Sequence, residues 1–82
     1  MQQMERFGEK LHALRLHNNL TLAQLAEQLG YTTHSYISEL EANRKSPTVK
    51  FVLKAARLFD VTTDELLKDE LEVDLLVNSG NE

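Results

Sequence analysis

"TLAQLAEQLGYTTHSYISELEANRKSPT", residues 21–48, holds two short helices and the turn between them. Thr21 and Gln24 have the spacing of a capping box: the threonine oxygen accepts the third helical N–H and the glutamine reaches back. Leu22, Leu25, Ala26 and Leu29 supply the apolar positions, and Gly30 can close the helix in a left-handed conformation. Thr33 is the expected N-cap of a second helix over about residues 34–42, with Asn43 as its closing residue. That second helix has a thin apolar seam. At about 100° per residue, Ile37 and Leu40 share one side while Ser35, Ser38 and Glu39 project opposite, flanked by His34 and Tyr36.

Outward from this pair, the punctuation stays helical. Phe7, Leu11 and Leu14 recur on one helical face, which predicts a first helix from about Met4 to His17, ending near Asn18–Asn19. Thr48 is expected to cap a fourth helix to Phe59, with Val52, Leu53, Ala56 and Phe59 inward. Thr62 and Glu65 form a second capping box, opening a short fifth helix through Leu67, whose continuation past Leu67 stays open. The expectation is an all-α, five-helix domain over residues 4–69 and a C-terminal extension over residues 70–82.

In the extension, "LEVDLLV" alternates with a period of two, yet Leu67, Leu71 and Leu75 also form an i+4 row, so strand and helix both stay open. The segment is too apolar for a free end. Leu67, Leu71, Val73, Leu75 and Val77 are therefore expected at a homodimer interface, the competing reading being that they fold back on their own core.

The chain has 82 residues, which points to one domain, and no cysteine, which excludes disulfides and thiolate zinc sites. No apolar run is long enough to span a bilayer, and the polar start "MQQMERFGEK" is unlike a signal peptide, so a cytoplasmic protein is expected. The net charge of −4 is unevenly spread. Residues 1–57 carry eight Lys/Arg against five Asp/Glu (+3), and residues 58–82 carry one Lys against eight acids (−7). A mildly basic front and an acidic back suit one anionic partner and leave room for a protein partner; a solvated acidic tail fits the same numbers.

Two short helices joined by a glycine-containing turn are the signature of a helix-turn-helix. A second helix that lies in a DNA major groove must keep its outer side free, so it can spare only a narrow seam for the core. His34 and Ser35 lie in its first turn, the end such helices bring to base edges. Small Ala26 lets the two helices approach closely. A helical hairpin with a solvated polar face would look the same, since fold alone does not set function.

The run "LTLAQLAEQLGYTTHSYISELEANRKSPTVKFVLKAARLFDVTTDELL" resembles the lambda-repressor/Cro-like helix-turn-helix family, also called the XRE family, over about Phe7 to Leu67. The resemblance rests on "LAQLAEQLG", "YISELE", the asparagine cap, a proline six residues after Glu41 and the closing "VTTDELL". It implies a lambda-repressor-like DNA-binding domain, commonly homodimeric, in a transcriptional regulator. By position, it places base reading on His34, Ser35 and Glu39 with Ser38 and Tyr36 adjacent, and phosphate contact near Leu22 and in the loop Asn43, Arg44, Lys45 and Ser46. It also implies that Arg15 pairs with Glu41 as a structural element. Thr33, Tyr36 and Lys50, at the starts of helices, join the expected phosphate contacts. Three departures stand out. Leu22 occupies a position where many relatives carry glutamine. Gly30 and Ile37 are seven residues apart where six is usual, with Thr32 as the extra residue. Glu39 puts an anion at a base-reading position, where it could accept from cytosine N4.

Other chemistry finds little support. His12 and His17 are five apart, off the i, i+4 spacing of helical metal ligands. No nucleophile–base arrangement or phosphate loop stands out, so no enzyme and no cofactor are expected. Arg6, Lys10, Lys50, Lys54 and Arg57 are single basic residues that either meet phosphate or merely solubilise a helix. The expected function is a homodimeric, sequence-specific regulator, a repressor by family habit, bound to a palindromic double-stranded DNA operator. The alternative, favoured by net acidity, Leu22 and Glu39, is a protein-interaction module such as an antitoxin or controller subunit that reads DNA weakly or not at all.

Overall fold

A computed structural model describes residues 5–73. Among them are five helices: α1 Phe7–His17, α2 Leu22–Leu29, α3 Ser35–Glu41, α4 Val49–Phe59 and α5 Thr63–Leu67. Helix α1 packs on α3 and α5, α2 on α3 and α4, and α4 on α5. The fold is all-α, as expected, and no helix among the described residues is long and apolar enough to cross a membrane. Phe7, Leu11, Leu14, Leu25, Ile37, Leu40, Phe51 and Leu66 are almost fully buried, so every helix sends at least one large side chain into one core.

Helix ends follow local chemistry. Both capping boxes are formed: Thr21 Oγ1 accepts from the Gln24 N–H and Thr62 Oγ1 from the Glu65 N–H, each reciprocated by the glutamine or glutamate side chain. Thr48 Oγ1 accepts from the Phe51 N–H. Helices α1, α2, α3 and α4 each close on a left-handed residue, namely Asn19, Gly30, Asn43 and Asp60. After each, the next N–H bonds back across the last turn: Leu20 to Arg15, Tyr31 to Ala26, Arg44 to Glu39 and Val61 to Ala56. These bonds satisfy carbonyls that the helix itself leaves without partners.

Three sequence expectations are corrected. Helix α1 starts at Phe7 rather than Met4; the N–H groups of Glu5 and Arg6 turn instead to the carboxylate of Asp69, 3.1 and 2.9 Å away. Helix α3 starts at Ser35 with His34 at its N-cap, and Thr33 is not the cap; its hydroxyl accepts from the Ser35 N–H only at 3.4 Å, because residues 32–34 are spent on the longer turn. Leu53 is exposed, and Phe51 and Ala55 take the inward positions beside Val52, Ala56 and Phe59. Helix α5 runs to Leu67 as expected, and Lys68 turns extended.

The segment after α5 returns to the start of α1. Arg6 donates to the Asp69 carbonyl and grips the Glu72 carboxylate with two N–H···O contacts of 2.9 Å. Lys10, only 2 % exposed, passes its ammonium beneath this segment to the carbonyls of Glu65 and Lys68, 2.6 Å from each. It caps the end of α5 and is not available to a phosphate. Burial pushes its ammonium below the usual lysine range.

Candidate nucleic-acid interface

Helix α3 is seated by two fully buried residues, Ile37 and Leu40. Their position fixes the rotation of the helix, so the outward side chains are determined whatever the length of the preceding turn. His34, Ser35 and Ser38 are exposed and Glu39 is half-exposed, all on the side away from the seam. The base-reading set expected from the sequence therefore shares one accessible face.

The N-terminus of α3 is braced rather than free. The ring of Tyr31, which follows Gly30, lies tilted with its centroid 5.5 Å from that of Tyr36 and 5.8 Å from that of Phe51, and Tyr36 meets Phe51 edge-on. The Tyr36 hydroxyl accepts from the Thr48 N–H at 3.3 Å and so joins α3 to the start of α4. The hydroxyl makes no donated hydrogen bond among the described residues. Desolvation raises the Tyr31 phenol above its ordinary pKa, so it stays protonated. Lys54 lies over the Tyr31 ring at 5.3 Å and donates to the Leu29 carbonyl at 3.0 Å. That lysine caps the end of α2. Nothing in the sequence points to that capping role, because the partner lies 25 residues away.

The C-terminal end of α3 is equally fixed. Arg15 and Glu41 are joined at 2.7 Å with both side chains about nine-tenths buried. Arg15 also donates to the Leu20 carbonyl, and His12 Nδ1 lies 2.9 Å from Glu41. Gly8 lets α1 touch this end: a Cβ there would sit 2.5 Å from the carbonyl oxygens of Leu40 and Glu41. A glycine inside the apolar stripe of a helix is the sequence signal for such an approach.

The loop after α3 starts from an anchored base. The Asn43 side chain accepts from the Gly8 N–H at 3.1 Å and donates to the Glu5 carbonyl at 3.0 Å, so its amide is committed within the chain. Arg44, Lys45 and Ser46 are exposed beside an open cleft floored by Phe7 and Pro47. Lys45 makes an ion pair with Glu39 at 3.1 Å. Thr33 and Lys50 are exposed. The first N–H groups of α2 and α4 are left over by their threonine caps. Helix starts of this kind favour anions.

Of the expected dimer residues, Leu67 and Val73 are half-buried against the chain's own core and Leu71 is 36 % exposed. Leu75 and Val77 lie outside the described residues. Among the described residues, no group of three or more histidine or carboxylate side chains converges as metal ligands.

A family model described as helix-turn-helix matches residues 11–66. The transcriptional activator BcrR of Enterococcus faecalis is 44 % identical over 64 residues, which are 78 % of this chain and 31 % of that protein. Among solved structures, a complex of SinR with SinI superposes with a TM-score of 0.71 at 29 % identity, covering 78 % of this chain and 62 % of that one. SinR, described as a master regulator for biofilm formation, in complex with DNA superposes at 0.67 with 30 % identity, covering 73 % and 95 %. The chain spans between 31 % and 62 % of the length of the curated relatives it matches. The helix pair read from residues 21–48, the five-helix fold around it and these likenesses together place the chain in the XRE family of helix-turn-helix transcriptional regulators.

Proposed function

We propose that this domain binds double-stranded DNA as a homodimer and reads sequence by laying α3 in the major groove. The observation that carries the reading is the exposure pattern of α3. Only Ile37 and Leu40 are spent on the core, while His34, Ser35, Ser38 and Glu39 share an accessible face. Around that face stand donors suited to phosphate: the first N–H groups of α2 and α4, Thr33, the Tyr36 hydroxyl, Arg44, Ser46 and Lys50. Base contacts would set preference and these surrounding contacts would set register. SinR, 30 % identical here, has been solved on DNA. With DNA as target, the working compartment is the one holding the chromosome, the cytoplasm of a bacterial cell.

The homodimer is supported by the apolar composition of residues 67–77 and by the exposure of Leu71. The clasp formed by Arg6, Asp69 and Glu72 ties the start of the extension to the start of α1. The sign of regulation follows from where an operator lies relative to a promoter. The repressor expectation came from the family, and BcrR is an activator.

A second reading, a protein-interaction module, is supported by the net charge of −4 and by the structure of SinR with SinI. Selection of bound sites from a pool of random duplexes separates the two. The DNA reading expects an enriched pattern with two half-sites about 10 bp apart, centre to centre, or a multiple of that. The interaction reading expects no enrichment.

A further inference from the structure

The acid on the groove face of α3 is paired. Glu39 Oε1 lies 3.1 Å from Lys45 Nζ, and the second carboxylate oxygen carries no hydrogen bond among the described residues. The backbone builds this pairing. Asn43 takes a left-handed conformation with φ of 59°, the Arg44 N–H returns to the Glu39 carbonyl at 2.9 Å, and the Asn43 amide is tied to Glu5 and Gly8. The chain is thereby reversed and held at its base, which brings residue 45 over the turn that carries residue 39. An unpaired carboxylate on this face would meet the negative potential of the groove and be pushed away from it.

We propose that Lys45 is a specificity-positioning residue: it neutralises and orients Glu39 so that the free carboxylate oxygen accepts a hydrogen bond from a cytosine amino group. This rests on the DNA-reading proposal above and gives Lys45 a role distinct from that of Arg44. The cytosine N4 amino group is a donor without the acceptor that adenine N7 sets beside its own amino group, so it suits a carboxylate, and a good base contact discriminates by roughly tenfold or more. Lys45 thus acts on one base pair through Glu39, whereas Arg44, with no acidic partner among the described residues, acts on the backbone of any sequence.

The test is affinity of the full chain for a selected duplex and for its variants at every position, measured for the unaltered protein, K45A, K45R and E39A. The expected result is that E39A and K45A flatten preference at the same single base pair by about tenfold, that K45R restores it, and that other positions keep their profile. The charge swap E39K with K45E retains the pair and moves the preference at that position from cytosine to guanine, whose O6 and N7 accept from lysine. If K45A weakens every duplex by one common factor and leaves the profile intact, Lys45 is a phosphate contact and the positioning role is overturned. If the unaltered chain selects no duplex at all, the DNA reading falls and this role falls with it.

Discussion

Gly8 and Asn43 act as a pair where α1 crosses the end of α3. The glycine N–H donates to the asparagine oxygen, and the missing Cβ lets the Leu40 and Glu41 carbonyls approach. Gly8→Ala places a carbon 2.5 Å from two backbone oxygens, and backbone is costly to move. A loss of about 3 kcal/mol is expected in urea unfolding despite the better helix propensity of alanine. Left-handed Asn43 and Asp60 invite the same substitution with opposite outcomes. Asp60→Gly removes strain at φ 57° and should stabilise by up to about 1 kcal/mol. Asn43→Gly relieves the same strain but deletes two hydrogen bonds to Glu5 and Gly8, so it should destabilise by about 1 kcal/mol.

At the scale of elements, Arg15 and Glu41 join α1 to the end of α3. Removing one partner leaves the other charge about nine-tenths buried, so Arg15→Met alone should cost about 3 kcal/mol. Arg15→Met with Glu41→Met should cost less than the two single changes summed, which a double-mutant cycle on unfolding midpoints measures. Thr21→Ala and Thr62→Ala should each cost about 1 kcal/mol through their capping boxes.

What could be read from the chain divides along these lines. Capping boxes and left-handed closures at Gly30 and Asn43 lie within a few residues of sequence, and they were legible. So was the outward face of α3, because the thin seam of Ile37 and Leu40 leaves no other rotation. Features that depend on tertiary approach were not legible. Lys10 and Lys54 look like surface lysines in sequence, yet each caps the end of a distant helix. Leu53 fits the inward stripe of α4 by spacing, but the packed face lies one residue around, on Phe51, Val52 and Ala55. Thr33 has the chemistry of a cap, but the lengthened turn moves the helix start past it.

For the molecule as a whole, the segment after α5 closes the fold on its own beginning. Asp69 takes the N–H groups of Glu5 and Arg6, and the guanidinium of Arg6 holds the Glu72 carboxyl below its ordinary value of 4.5. A carboxylate with a depressed folded-state pKa contributes stability that is complete above the unfolded value and is lost as pH falls through the folded one. An NMR titration should therefore show Glu72 with a midpoint below 4.5, returning toward it in Arg6→Ala. The same clasp dictates how the dimer proposal is tested. A cut after Lys68 would remove Asp69 and damage the domain, whereas a cut after Val73 keeps the clasp. The shortened chain should be monomeric by mass in solution at micromolar concentration; a persistent dimer would place the interface elsewhere.

The most direct test of DNA reading is the affinity of the unaltered chain for duplex DNA as salt is raised from about 50 to about 200 mM. Displacing counterions from phosphates makes the logarithm of affinity fall linearly with the logarithm of salt, by about 0.9 per phosphate contacted. A steep negative slope, flattened by about one unit in Arg44→Ala, is the predicted result. Binding that is absent at low salt, or that does not change as salt rises, would contradict the account.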